Sequence, residues 1–353
     1  MKKIVGIIAA AAMAANVFAA VGVGAWGRSV WAPVASDGNE VSTFALPSWA
    51  WDKAAAPGRI GFSISGSSDN IGFNLDFAGE NGGLGDTQFI WVKPWSFLEI
   101  QVGKVQDNSA RGDGGFGAYG WLRNSKAAGI GEDLTFMRFG DGNNGQAEGA
   151  IVKVTPIDGL WIEAALNGFN GKWAKVEDVY KNGQYGIGYN INGIGHIRAQ
   201  YIGVSKTINA AFDLSAVKNL SLTIGGFIPT DTVLNPNTNI NAYASYTLDA
   251  LKLHALAAVA IAKDVDDPTI NAGIGADYSL SNGIGFVADV RGTFFGDTNS
   301  FSFLVGATKG FSNGVIGIGF QGVTQSADGV GSFYVADGEK FGWQIPVKFE
   351  YWF

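Results

Sequence analysis

The chain contains no cysteine, which excludes disulfides, thiolate chemistry and cysteine-ligated zinc or iron–sulfur sites. Charge is scarce: Asp, Glu, Lys and Arg make up 16% of the 353 residues, against about 25% in an average soluble domain. Histidine is nearly absent. His196 and His254 each fall on the polar side of an alternating segment, and neither has further His or Cys nearby, so no metal site is expected. Long apolar runs are also missing. Beyond residue 19 none reaches the ~20 residues of a membrane-spanning helix. The net charge of −7 argues against a nucleic-acid partner.

What is abundant narrows the class further. Glycine occurs 52 times, aromatics reach 13% and hydrophobic residues 47%. Such a chain is too apolar for disorder and too rich in glycine for a helical fold. The first residues, "MKKIVGIIAAAAMAANVFA", have a Lys2–Lys3 start, an apolar run from Ile4 to Ala15 and a small residue at Ala19. That is the pattern of a cleaved secretory signal peptide over 1–19. Its removal takes Lys2 and Lys3 with it and moves the net charge from −7 to −9.

The remainder alternates with period two, the mark of a half-buried strand. "NIGFNLDF" sets Ile71, Phe73, Leu75 and Phe77 against Asn74 and Asp76. "GHIRAQYIG" sets Ile197, Ala199 and Tyr201 against His196, Arg198 and Gln200. Tight-turn signals recur as "KPWS" (93–96), "PIDG" (156–159), "NING" (190–193) and "SNG" (281–283, 312–314). The alternate connections are longer and more polar: 34–57, 106–146, 169–182, 229–238, 263–268 and 324–340. Strands are expected near 21–33, 58–65, 70–78, 86–93, 97–105, 147–155, 160–168, 183–191, 194–204, 207–214, 219–228, 239–248, 251–262, 269–280, 283–294, 300–309, 314–323 and 342–353. Short turns at one end and long loops at the other predict an all-β, transmembrane antiparallel up-and-down barrel of about 18 strands, with 16 the alternative count. The strand-like "EDLTFMRFGDG" (132–142) breaks the up-and-down parity and is assigned to the third long loop. The first strand begins directly after the signal peptide, which leaves no room for an N-terminal plug.

Three features argue that the apolar face points outward to lipid. So many strands with so few charges are unusual in a secreted sandwich. Trp91, Trp95, Trp161, Tyr246, Tyr278, Tyr351 and Trp352 lie near strand ends, as an interfacial aromatic girdle would. The chain also ends in mid-alternation, with Trp343, Ile345, Val347, Phe349, Tyr351 and Phe353 on one side of the last strand.

The segment "WQIPVKFEYWF" resembles the C-terminal assembly signal of Gram-negative-type outer-membrane β-barrels, an aromatic last residue preceded by alternating apolar ones. With the signal peptide and the hairpin pattern, the mature chain 20–353 resembles an outer-membrane porin. Its leader and Gly-rich strands are similar to those of spirochaetal porin-like proteins. The resemblance implies Sec export, insertion by the barrel assembly machinery, contact with outer-membrane lipid, and a water-filled channel for passive diffusion of small hydrophilic solutes and ions. A structural or adhesive surface protein is the alternative. No cofactor and no enzymatic activity are implied.

Taking the polar side of each strand as inward gives the candidate lumen residues. The acids are Asp76, Glu99, Glu163, Asp213, Asp277, Asp289 and Glu350. The bases are Arg59, Lys153, Arg198, Lys252, Arg291 and Lys348, and His196 and His254 join them. The signs nearly balance, because the acidic excess sits in loops such as "KDVDDP" (263–268). The long third loop, 106–146, carries Asp107 and a further group of charges: Arg111, Asp113, Arg123, Lys126, Glu132, Asp133 and Arg138. In trimeric porins a loop at this position narrows the channel. The resemblance therefore makes these residues constriction candidates, where opposed charges would set a transverse field. On the outward side, Ala242, Ala244, Ala255, Ala257, Ala272 and Ala276 form a patch of small residues suited to close contact between copies in a homo-oligomer such as a trimer. "GVGAWG" (22–27) matches a nucleotide-binding spacing but lacks the preceding strand and following helix. A Ser245–His254 dyad would be needed for hydrolytic chemistry.

Overall fold

The computed structural model describes residues 20–46, 58–78, 83–110, 148–168, 175–234, 236–324 and 340–353. The segment expected as a signal peptide, most of the expected third loop and the strand-like 132–142 lie outside the described residues. The strands are β1 (Ala20–Ser36), β2 (Val41–Leu46), β3 (Gly58–Ser67), β4 (Ile71–Ala78), β5 (Gly83–Trp95) and β6 (Leu98–Lys104). They continue with β7 (Glu148–Ile157), β8 (Leu160–Gly168), β9 (Gln184–Ile191), β10 (Gly195–Ile202), β11 (Thr207–Leu214), β12 (Leu220–Pro229) and β13 (Asn237–Leu248). The last six are β14 (Leu251–Ala262), β15 (Thr269–Ser279), β16 (Ile284–Phe295), β17 (Thr298–Phe311), β18 (Gly314–Val323) and β19 (Gly342–Trp352).

Each strand from β3 to β19 pairs antiparallel with the next, and β19 pairs with β1, which pairs with β3. The result is a closed ring of 18 strands. The short turns, 68–70, 96–97, 158–159, 192–194, 215–219, 249–250, 280–283 and 312–313, all lie at one end. Gly159 (φ 79°) and Gly193 (φ 73°) supply the left-handed backbone that two of these turns require. The longer connections lie at the other end, together with two short ones, 203–206 and 296–297.

The ring closes through matched backbone bonds. Ala25 N–H donates to Phe353 O at 3.0 Å, and Phe353 N–H donates to Ala25 O at 2.8 Å. The register then runs through Arg28↔Glu350 and Val30↔Lys348.

Two elements were not foreseen in the sequence. The segment expected as loop from residue 34 begins as strand: β1 runs on to Ser36, and β2 folds back along it. β2 and β3 occupy the same edge of β1 in succession, since Ser29 pairs with Gly58 and Val30 with Leu46. Without β2 the outer half of β1 would expose unpaired N–H and C=O groups on that edge. β2 stands outside the ring because it pairs with β1 alone. The second element is a short helix, α1 (Val176–Lys181), between β8 and β9. Glu177 and Asp178 occupy its first turn, and Lys181 reaches back to Glu177 at 2.5 Å. No helix among the described residues is long and apolar enough to cross a membrane, which says nothing of strands.

The burial pattern is inverted relative to a soluble protein. Large apolar side chains point outward and exposed, among them Ile60 and Ile274 at 68% and Ile90 at 58%. Polar side chains point inward and buried: Lys348 and Gln344 at 0%, Glu163, Arg198 and Arg291 at 2%. On β19, Trp343, Ile345, Val347, Phe349 and Tyr351 share the outward face, and Gln344, Lys348 and Glu350 share the inner one. The alanine patch is contiguous on the outer wall, where Ala244 pairs with Ala255, and Ala242 and Ala272 flank Ala257.

Two girdle residues are corrected. Trp91 and Trp161 belong to the inner face: Trp91 pairs with Gln101 and lies over Gly72, and Trp161 lies over Gly188. The cause is local, because only a residue without a side chain opposite leaves room on the inner wall for an indole. Trp95, Tyr246, Tyr278, Tyr351 and Trp352 are exposed near strand ends.

Deleting Phe353 removes both backbone bonds to Ala25. The expected outcome is a severe loss of folded, heat-modifiable barrel on electrophoresis after membrane assembly, with ordinary conductance in the fraction that does close. Assembly at the wild-type level would show that the seam is held elsewhere.

Candidate functional site

The inner wall gathers the chain's buried polar groups, and the strand registers bring opposite charges together. On β1 and β19, Arg28 Nε donates to Glu350 Oε1 at 2.9 Å, and Lys348 contacts the same carboxylate. On β5 and β6, Lys93 lies 3.2 Å from Glu99 and 5.1 Å from the centre of the Trp91 ring. On β10 to β12, Arg198 donates to Asp213, which also accepts from Thr223 Oγ1 at 2.7 Å. On β13 to β15, the Tyr243 hydroxyl lies 2.8 Å from His254 Nδ1, and His254 Nε2 lies 2.7 Å from Asp277 Oδ2. On β16, Arg291 lies 3.4 Å from Asp289. Each pair is a cross-strand or same-face neighbour, so period-two geometry alone places the partners within reach. In a largely buried setting such pairing prevents the cost of an isolated charge.

The other sequence-predicted residues are placed as follows. Asp76 pairs with Ser63 on β3, and Lys252 of β14 pairs with Thr247 and Asp277 in the backbone register. Arg59 stands opposite Arg28 in the β1–β3 register. His196 meets Trp161 Nε1 at 3.4 Å and Asp213 at 3.8 Å. Both ring nitrogens of His254 face Tyr243 and Asp277, so the ring is oriented by these two groups and not as the base of a serine dyad. Among the described residues no group of three or more His, Cys, Asp or Glu could hold a metal. Arg111, Asp113, Arg123, Lys126, Glu132, Asp133 and Arg138 lie outside the described residues.

The start of the third loop is described, and it turns onto the inner wall. Val105 and Ala110 are buried in one cluster with Ile151, Trp161, Ala165 and Ala211, with Phe89 packed against it. Between them, Asp107 lies 3.3 Å from Lys153 Nζ, which also donates to Ser109 Oγ. Glu163, with its side chain fully buried, is 4.0 Å from the same ammonium. Burial raises the Asp107 carboxyl, but the Lys153 charge and hydrogen bonds from Ser109 outweigh it, and the net result lies below the ordinary aspartate range.

The wall is also graded. On β10, β11 and β15 the charged groups Arg198, Asp213 and Asp277 sit beside the short turns. Uncharged amides follow further along: Gln200, Asn209 and Asn271. Sequence reasoning chose only ionisable residues and so passed over these amides, together with Tyr243, and it assigned Trp91 and Trp161 to the girdle. Applying the same alternation to every residue type would have found them.

No protein-family model matches this chain, and no curated protein matches its sequence. Solved structures do match. OmpF of Salmonella typhi, in complex with daunomycin, is 13% identical with a TM-score of 0.53, over 94% of this chain and 97% of that one. OccK9 (OpdG) of Pseudomonas aeruginosa is 11% identical with a TM-score of 0.53, over 94% and 98%. A mutant of the Rh. blastica porin is 12% identical with a TM-score of 0.50, over 95% and 100%. At such identities the likeness is one of fold: the chain has the barrel of outer-membrane porins.

Replacing Lys153 by Met leaves Asp107 and Glu163 without their shared cation. A loss of about 1–3 kcal/mol in unfolding free energy is expected, and adding Glu163→Gln should recover part of it. Denaturant titration of the refolded protein checks both. The Asp107 contribution has a defined pH sign. Its folded value is depressed, so the contribution is present above about pH 4 and disappears as the pH falls through that lower value.

Proposed function

We propose that the protein is an outer-membrane porin, a water-filled channel through which small hydrophilic solutes and ions diffuse passively. One observation carries this reading: a closed 18-strand ring turns its apolar side chains outward and its ionised and amide side chains inward. An exposed apolar wall suits lipid, and a barrel of this strand number encloses more space than its own side chains fill. The inner charges named above are then the lining of the channel. Acids and bases alternate around it, so selectivity is set by local pairs and not by the net charge.

The third loop is the proposed constriction. Its described base is anchored to the inner wall by Lys153 and by the cluster around Trp161, which supports this reading. Arg111, Asp113, Arg123, Lys126, Glu132, Asp133 and Arg138 would there face the passing ion. The protein is exported by the Sec route, recognised through its last strand by the assembly machinery, and not an enzyme. Copies of the barrel meet through Ala242, Ala244, Ala255, Ala257, Ala272 and Ala276, where small side chains allow walls to approach.

Purified protein in a planar bilayer should give discrete conductance steps, and neutralising Arg111, Arg123 and Arg138 together should shift the reversal potential toward cations. A silent bilayer would favour a structural or adhesive surface protein instead. Cross-linking at Ala257→Cys is expected to trap an oligomer; monomer alone would remove the alanine patch from the interface.

A further inference from the structure

The base of the third loop brings an amine and two carboxyl groups into one enclosed site. Asp107 Oδ2 lies 3.3 Å from Lys153 Nζ, and Glu163 Oε2 lies 4.0 Å from the same nitrogen. Ser109 Oγ accepts a hydrogen bond from that nitrogen and holds it beside Asp107. Asp107 and Glu163 are also within hydrogen-bonding reach of each other. The surroundings are apolar. Val105 and Ala110 bracket Asp107, Ile151 shares the face of Lys153, and Trp161 and Ala165 flank Glu163; all five are buried in one cluster. Glu163 is the odd member. Its side chain is fully buried, and neither carboxyl oxygen receives a hydrogen bond. Two facing carboxylates have no hydrogen to share, and a bond forms between them only when one carries a proton. Among the described residues Lys153 is the one cation at these two carboxyls. Glu99, across from Lys153 on β6, is taken by Lys93 at 3.2 Å. One proton shared by the carboxyls beside a neutral amine therefore costs less in this enclosure than three separate charges. A salt bridge needs a single carboxylate. A neutral amine, a carboxyl in contact with it and a second carboxyl to carry a proton are the parts of an amide condensation.

We propose that Lys153 and Asp107 condense to an internal amide, with Glu163 carrying the proton, so that the loop base is joined covalently to the barrel wall. The Lys153 nitrogen, as the neutral amine, attacks the Asp107 carboxyl carbon, and the C–N bond forms. Glu163 gives its proton to one carboxyl oxygen. A second proton passes from the nitrogen to the same oxygen, the C–O bond breaks, and one water leaves. Glu163 ends as a carboxylate, so the net charge of the site is unchanged and no oxidant or other reactant is needed. The bond joins residues 46 positions apart in the chain. The inference is independent of the channel reading, because it concerns only how the loop base is fastened.

The test follows the full chain by intact-protein mass spectrometry as it refolds from inclusion bodies into detergent micelles, with tryptic mapping of the product. The unfolded starting material should have the mass of its sequence, and the folded barrel that mass less one water. In the digest, fragment 105–111 should stay attached to the fragment bearing Lys153, after which trypsin no longer cleaves. Glu163→Gln keeps the shape of the side chain but has no proton to transfer, and water loss should slow about a hundredfold. Lys153→Arg keeps the positive charge but cannot condense, and it should retain its full sequence mass; it decides the matter if Glu163→Gln fails to fold. A folded wild type at full sequence mass, cleaved after Lys153, overturns the amide. So does a water loss that persists in Lys153→Arg. An unchanged rate in Glu163→Gln overturns the role given to Glu163.

Discussion

The rest of the structure depends on the seam where β1 meets β19. In hydrocarbon a backbone N–H or C=O without a partner costs several kcal/mol, so a sheet can cross lipid only if it has no edge. The reciprocal bonds between Ala25 and Phe353 and the pairing through Arg28 and Glu350 remove that edge. Once the ring is closed, each strand has one face outside and one inside. Alternation then becomes compulsory, and the direction of each side chain follows from its parity.

Closure also explains why the inner wall is organised as cross-strand pairs. A soluble core can be filled with hydrocarbon, but here the hydrocarbon face has been given to the surroundings. The polar face must satisfy itself laterally. Arg198–Asp213–Thr223, Tyr243–His254–Asp277 and Asn271–Thr293 each tie neighbouring strands through side chains where the backbone already ties them. Such links hold aromatic and charged groups in fixed orientations along the inner wall. Glycine has a matching part: Gly188 yields its place so that Trp161 can lie flat and meet His196.

Most of the barrel could be read from the sequence because parity is a local signal. Each expected strand of the ring has its counterpart, and the eighteen-strand count follows from that match. What escaped depends on partners distant in sequence. β2 is too short and mixed to announce itself, and it exists because the far half of β1 needs cover. The helix α1 is a single turn whose only local mark is the Glu177–Lys181 spacing. Trp91 and Trp161 look like girdle residues until the glycines across from them are known. Asp107 is legible as a loop charge, but its tie to Lys153 is not, since forty-odd intervening residues separate the two in sequence. The uncharged amides Gln200, Asn209 and Asn271 carry no ionisable group to mark them.

The succession of β2 and β3 along one edge of β1 bears on how such walls vary. One edge of β1 is covered by two separate pieces of chain, β3 within the ring and β2 outside it, interrupted between Leu46 and Gly58. An edge covered in two lengths can take in extra residues at the join without altering the number of strands in the ring or the register of any other. Residues 47–57 are therefore the place where this barrel could acquire a new surface feature, or an inserted epitope, with the hoop of hydrogen bonds left intact.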